Sequence, residues 1–207
     1  MREWKEKRSN MRHYDRQATI YNAQYVGEQD TKIVNILNKI QLCSNELVLD
    51  LGCGTGFLFR HINKQVMFLV GLDLSQKALQ EAKKRTKNMT NVALILADAD
   101  NTPFPDHTFD KVLAITLLQN MPDSTKTLSE IIRVSKPQAT FAVTGFKKTF
   151  TQESFIALLE RARLKVSLLE PDEQMKGHVA VCTKAELGMS QESVSSRLKK
   201  QKDKTVD

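Results

Sequence analysis

The chain has 207 residues, 41% of them apolar and 27% charged, with a formal net charge of +7 and a pI near 9.3. That length suits one domain with a core large enough to need neither disulfides nor a structural metal. Both fractions are ordinary for a globular protein, while the basic balance favours either a phosphate-bearing partner or simple solubility.

The cysteines, Cys43, Cys53 and Cys182, are odd in number and far apart. No CxxC pair or His/Cys cluster accompanies them, so neither a zinc site nor a disulfide framework is expected. A reducing cytoplasm fits this usage. The opening MREWKEKRSN is too polar for a secretory signal. No apolar run approaches the ~20 residues that span a bilayer, so no membrane association is expected.

Residues 1–16 are dense in charge, with Arg2, Lys5, Lys7, Arg8, Arg12 and Arg16 against Glu3, Glu6 and Asp15. Residues 28–41 carry Ile33, Val34, Ile36, Leu37 and Ile40 as a helical stripe. ELVLDLG, a short apolar run ending in Gly, reads as a buried strand, and FLFRHINK after it as a helix. FLVGLDLS is a second strand. QKALQEAKKRTK is an amphipathic helix with Ala78, Leu79 and Ala82 on one face and Ser75 as its N-cap. NVALILAD and FDKVLAITLL are further strands, and DSTKTLSEIIRVS is a helix closed by Pro137. TFAVTGF is a strand and TQESFIALLERARL a helix capped by Thr151. KVSLLEP and GHVAVCT close the pattern as two strands without room for a helix between them. Strands alternating with helices predict an α/β fold: a seven-stranded, mostly parallel Rossmann-like sheet with an antiparallel edge strand and helices on both faces. The tail over 185–207 ends SSRLKKQKDKTVD and has almost nothing apolar to bury, so it is expected to be disordered.

The segment Val48-Leu49-Asp50-Leu51-Gly52-Cys53-Gly54-Thr55-Gly56 follows a strand and opens a helix. Ligands of open α/β sheets sit outside the carboxyl ends of strands. Glycines there let backbone N–H groups approach a ligand closely. Three alternating glycines exceed what a tight turn needs. The spacing is Gly-x-Gly-x-Gly, not the G-x-G-x-x-G of dinucleotide sites. Asp50, at the strand end, would repel a pyrophosphate. S-adenosylmethionine (SAM) fits better, because it has no phosphate and carries a cationic ammonium and a cationic sulfonium. Its carboxylate suits the N–H groups of a helix start. Asp73 ends the next strand, roughly 20 residues on, where an acid accepts ribose hydroxyls. Asp98 ends the third strand and is placed to accept from an adenine amine.

VLDLGCGTGFL, GLDLS and ADADNTPFPDHTFDKV resemble the successive motifs of class I SAM-dependent methyltransferases, most closely the broad subgroup with quinone-biosynthesis and tRNA wobble-uridine enzymes. The resemblance covers about residues 14–183. It implies that Gly52, Cys53 and Gly54 line the methionine moiety and that Asp73 binds ribose. It also implies Leu74 packed on adenine, Asp98 and Ala99 at the adenine edge, and Thr116 near the methionine end. Tyr14-Asp15-Arg16-Gln17-Ala18-Thr19-Ile20-Tyr21 matches a Tyr-Asp-x-x-Ala-x-x-Tyr segment that caps the cofactor in this subgroup, which implies a role for Tyr21. A helix merely packed on the domain is the plainer alternative. The implied organisation is a methyltransferase domain over 1–184, with 1–27 as an N-terminal cap segment. One departure is Lys136-Pro137-Gln138-Ala139, where such proteins usually have Lys-Pro-Gly-Gly.

For methyl transfer from SAM the protein's main tasks are alignment and exclusion of water, and a general base is needed only if the nucleophile must lose a proton before or during attack. The acceptor-facing candidates after the fourth strand are Gln119 and Asn120, with capping of the next helix as the alternative. No [DNS]-Pro-Pro-[FY] motif for exocyclic base amines is present. Cys53 is read as packing. His61, His107 and His178 are scattered, and His13 lies in the N-terminal segment. RNA (tRNA or rRNA) is the preferred acceptor, on the basic balance, the tail and Lys147-Lys148 after the fifth strand. The alternatives are a small quinone-type ring and a non-catalytic SAM-binding subunit. Against the small molecule stands the lack of a long insertion between the fourth and fifth strands to roof a pocket. A small activating protein partner is a further possibility.

Overall fold

The computed structural model describes residues 2–24, 26–168 and 176–185, with the side chains at 2, 13, 16–24, 26, 28, 29, 31, 32, 167 and 168 excepted. The expected tail over 185–207 lies outside the described residues, save Ala185.

Two helices, α1 (Arg2–Gln24) and α2 (Val26–Leu37), precede the first strand. There follow β1 (Leu47–Leu51), α3 (Phe59–Ile62), β2 (Phe68–Asp73), α4 (Gln76–Arg85), β3 (Val92–Leu96) and β4 (Phe109–Ala114). A 3₁₀ turn at Leu118–Asn120 leads to α5 (Ser124–Val134), β5 (Ser135–Phe146), α6 (Gln152–Arg161), β6 (Leu164–Leu168) and β7 (Gly177–Lys184). The seven strands form one sheet in the order β3-β2-β1-β4-β5-β7-β6. The first five are parallel, and β7 runs antiparallel to both β5 and β6. This is the Rossmann-like sheet that the alternating pattern predicts, with one refinement. The antiparallel strand is second from the edge, and β6 is outermost. β7 buries Val179, Ala180 and Cys182, whereas β6 alternates Lys165 and Ser167 with apolar residues. A strand with a polar row tolerates the edge better than one apolar on both faces.

The period of two along each strand sends neighbours to opposite faces. Leu49, Leu51, Val112, Phe141 and Val143 join Leu128, Ile131 and Val134 of α5 and Phe155 and Leu159 of α6 in one apolar cluster. Val48, Leu69, Leu113 and Ala142 join Ile33 and Ile36 of α2, Phe59 and Ile62 of α3, and Leu79 and Ala82 of α4 in the other. Helices therefore cover both faces, and every strand of the parallel set delivers its carboxyl end to the same side.

The caps follow local chemistry. Ser75 Oγ accepts from Ala78 N (3.0 Å) at the start of α4, and Thr151 Oγ1 accepts from Ser154 N (3.2 Å) at the start of α6. Asp123, not Gln119 or Asn120, caps α5, accepting from Thr125 N (2.9 Å). One boundary differs from expectation. Pro137 does not mark a turn before the fifth strand, because β5 already begins at Ser135, straight after α5. Phe109 pairs with Ser135 and Lys111 with Thr140, so β5 bulges between these pairs. Pro137 and Gln138 are exposed in that bulge, where a residue without an N–H is tolerated. Among the described residues no helix is long and apolar enough to cross a membrane.

Candidate active site

At the carboxyl ends of β1 to β4 lies a cavity, with α1 across it. Ten of the residues singled out in the sequence line it together: Asp50, Gly52, Cys53, Gly54, Asp73, Leu74, Asp98, Ala99, Thr116 and Asn120. Gln119 is not among its lining residues; it sits in the 3₁₀ turn with its Oε1 buried and without a hydrogen-bond partner among the described residues. The side chain of Tyr21 lies outside those described, as does that of His13.

The glycine loop is tied to the end of β2. Gly52 N (2.8 Å) and Cys53 N (3.0 Å) both donate to the Leu72 carbonyl, and Gly54 N donates to Asp73 Oδ2 (2.8 Å). Gly52 and Gly54 have φ of 76° and 53°, which L-residues adopt only with strain. A side chain at Gly54 would meet nothing within 4 Å, since it would project into open space rather than into packed neighbours.

Asp50 is 4% exposed. No described residue donates a hydrogen bond to its carboxyl, and burial, reinforced by the neighbouring Asp73, pushes its pKa up to about 8. A buried carboxyl without a partner is costly, and an ammonium in the cavity would satisfy it. Asp73 is also raised by burial, against the pull of its backbone donors Ser75 N (2.8 Å) and Gly54 N. Leu74 N is a third backbone donor, so of its four or so acceptor positions the Asp73 carboxylate keeps about one for a further donor. These acids fit a cationic ligand with ribose hydroxyls, and the donor set thus accommodates SAM. Cys53 is buried and its thiol is pushed well up by burial and by Asp50 and Asp73, so it stays protonated and serves as packing.

Past β4, Thr116 has a φ of 62°. A β-branched residue in that region is an outlier costing on the order of 1–3 kcal/mol. It is held there by Thr144 of β5, whose Oγ1 accepts from Thr116 N at 2.6 Å. Asn120 donates through Nδ2 to the Thr116 carbonyl (2.7 Å) and to the Tyr14 hydroxyl (2.8 Å). Both amide hydrogens are thereby used, and no described residue donates to Asn120 Oδ1.

α1 supplies what the sequence left undefined. Lys7, Asn10, Met11 and Tyr14 line the cavity from above. Lys7 Nζ lies 2.8 Å from both oxygens of Asp98. Asn10 Nδ2 donates to the Asn120 carbonyl (2.7 Å), and Ser75 Oγ donates to Asp15. Lys7 and Asn10 were not among the site candidates. The available signal was the spacing of 7, 10, 11 and 14, one face of a helix, in a stretch without Gly or Pro. The histidines have structural roles instead. His61 pairs with Asp30 (3.0 Å), His107 Nδ1 donates to the Ser135 carbonyl (3.0 Å), and His178 Nε2 donates to the Phe150 carbonyl (3.0 Å). None of the three lines the cavity.

Residues 42–204 match the family model described as a methyltransferase domain. The chain belongs to the class I SAM-dependent methyltransferase family. The cofactor of this family is SAM, in agreement with the acids of the cavity. A demethylmenaquinone methyltransferase of Staphylococcus saprophyticus is 36% identical over 105 residues, which cover 49% of this chain and 45% of that protein. The chain spans about half the length of the curated relatives it matches. A SAM-dependent methyltransferase from Aquifex aeolicus superposes with a TM-score of 0.64 at 21% identity, over 72% of this chain and 88% of that one. A Haloferax volcanii complex of the Trm112 methyltransferase activator contains a chain that superposes with a TM-score of 0.69 at 17% identity, over 84% of this chain and 98% of that one. These two likenesses concern the fold.

Proposed function

We propose that this methyltransferase acts on a small aromatic acceptor of the quinone class, bound in the cavity beneath α1. The observation that carries this is the cavity's lining. Beyond the cofactor-facing acids it includes Met11, Ile33, Phe57, Ile115, Leu117 and Met121, apolar walls suited to a ring rather than to a phosphate backbone. The missing insertion between β4 and β5 is no objection, because α1 provides the roof. The staphylococcal relative's name points to the same class of acceptor. RNA, preferred on charge alone, has less support: Lys147 and Lys148 follow β5 but do not line the cavity.

SAM supplies an activated methyl group on a sulfonium. The chain's part is to hold and orient. Asp50 pairs with the ammonium, Asp73 with the ribose hydroxyls, and Asp98 with the adenine amine. Leu74 and Ala99 flank the base, Gly52, Cys53 and Gly54 line the methionine, and Thr116 borders the methyl end. Asn120 Oδ1 would accept from a hydroxyl of the acceptor and so orient the ring toward the methyl group. α1 keeps water out.

Methyl-labelled SAM incubated with the protein and with extracts of cells lacking its gene tests the reading. Label in the organic-soluble fraction is expected. Label confined to RNA would overturn the acceptor class, and label in neither fraction, with SAM binding intact, would point to a missing partner or a protein substrate. A small activating protein is a second proposal. β3 ends the sheet with Leu96 exposed, an edge open to an added strand, and the Haloferax neighbour is seen with an activator. Affinity capture of the intact protein should then yield a stoichiometric small partner that raises its rate of transfer.

A further inference from the structure

The described side chains of α1 hold the domain at the cavity through polar contacts. Neither apolar cluster includes a described residue of α1. The described attachments at the cavity are polar instead, and they reach the ends of three strands: Asp15 to Ser75 after β2, Lys7 to Asp98 after β3, Asn10 and Tyr14 to Asn120 after β4. Of the α1 residues that make these attachments Lys7 is the most buried, at 6% exposure. Its ammonium bridges two carboxylates, Asp98 at 2.8 Å and Asp100 Oδ2 at 2.5 Å. Asp100 does not line the cavity. Its side chain is 2% exposed, and its Oδ1 accepts from the Thr127 hydroxyl (2.5 Å). Asp100 is thus a fixed anchor, and Asp98 the acid it shares a cation with.

The lone pairs of Asp98 decide what Lys7 does. Among the described residues Oδ1 accepts from Lys7 and from Asp100 N (3.0 Å), while Oδ2 accepts only from Lys7. A carboxylate offers about four acceptor positions, so Oδ2 keeps one. We propose that Lys7 is a positioning residue for the cofactor: it clamps Asp98 so that the remaining Oδ2 lone pair faces the adenine amine, and in doing so closes α1 over the site. The proposal rests on the assignment of Asp98 to adenine. Without the ammonium, Asp98 and Asp100 would repel each other and α1 would lose its deepest contact. Cofactor binding and closure of α1 therefore favour one another.

The chain's one tryptophan, Trp4, lies on α1 one turn before Lys7 and is 48% exposed, so its fluorescence reports on α1 directly. SAM affinity by calorimetry and acrylamide quenching of Trp4 are to be measured in the wild type, Lys7→Met, Lys7→Arg and Asp98→Asn. SAM should reduce quenching in the wild type. Lys7→Met should weaken SAM binding about tenfold or more, as for loss of a charge-assisted hydrogen bond, and abolish the change in quenching. Lys7→Arg, which can still bridge two carboxylates, should restore most of both, and this rescue separates positioning from a loss of fold. Lys7→Met binding SAM as tightly as the wild type, or more tightly, would overturn the proposal. Unchanged affinity in Asp98→Asn would instead remove the adenine assignment and the proposal with it. Loss in Asp98→Asn alone would leave that assignment standing and overturn only the role of Lys7.

Discussion

Asp50 carries its proton at neutral pH because burial and Asp73 hold its pKa at about 8, whereas a paired ammonium favours the carboxylate. SAM binding at pH 7 should therefore release close to one proton, read from calorimetry in buffers of different ionisation enthalpy. Asp50→Asn should release none. The same shift acts on stability. A carboxyl raised on folding stabilises most below its unfolded value of 3.8, and that contribution is lost as pH rises through about 8. Asp50→Asn should thus flatten the decline of the melting temperature between pH 4 and 9. Glu130 has the opposite sign. It accepts from Arg133 Nη2 (2.7 Å) and Nε (2.8 Å), and from Thr102 N (2.7 Å) and Oγ1 (2.6 Å). The Arg133 guanidinium leads in holding its pKa down at about 2. Its stabilisation is present above 4.5 and lost as pH falls toward 2. Glu130→Gln should cost about 2 kcal/mol at pH 7, with a weaker acid dependence than the wild type, both measurable by urea titration.

Elements whose local chemistry agrees with their tertiary role were legible before the structure. The parallel strands read as short apolar runs because both faces are buried. Ser75 and Thr151 read as caps because a hydroxyl before a helical pattern has a ready donor three residues on. Thr151→Ala should lower stability by about 1 kcal/mol, shifting the denaturant midpoint without changing the slope. SAM affinity should be unaltered, since no residue of α6 lines the cavity. α1 was less legible. Among its described side chains Lys7, Asn10 and Tyr14 face the cavity beside a single apolar residue, Met11, and the partners Asp98 and Asn120 are 91 and 106 or more positions away. The start of β5 was obscured by Pro137, which ends helices but sits here in a bulge.

At the scale of the molecule, the charge of +7 is a property of the surface, and the proposed chemistry belongs to an apolar cavity. Binding to bulk tRNA should accordingly fall steeply between about 50 and 200 mM salt, while methyl transfer into the organic-soluble fraction does not follow it. Salt titrations of both on one preparation check this; parallel loss would return the case to RNA. The sequence by itself determined the sheet, the glycine loop and the placing of three acids at strand ends, because strand burial and strand ends depend on residues adjacent in the chain. Only the tertiary structure decided which of β6 and β7 lies outermost, that Gln119 stays off the cavity while Asn120 joins it, and that α1 roofs the site through Lys7. Each of those turns on pairings between distant segments, for which polar groups carry no periodic signature.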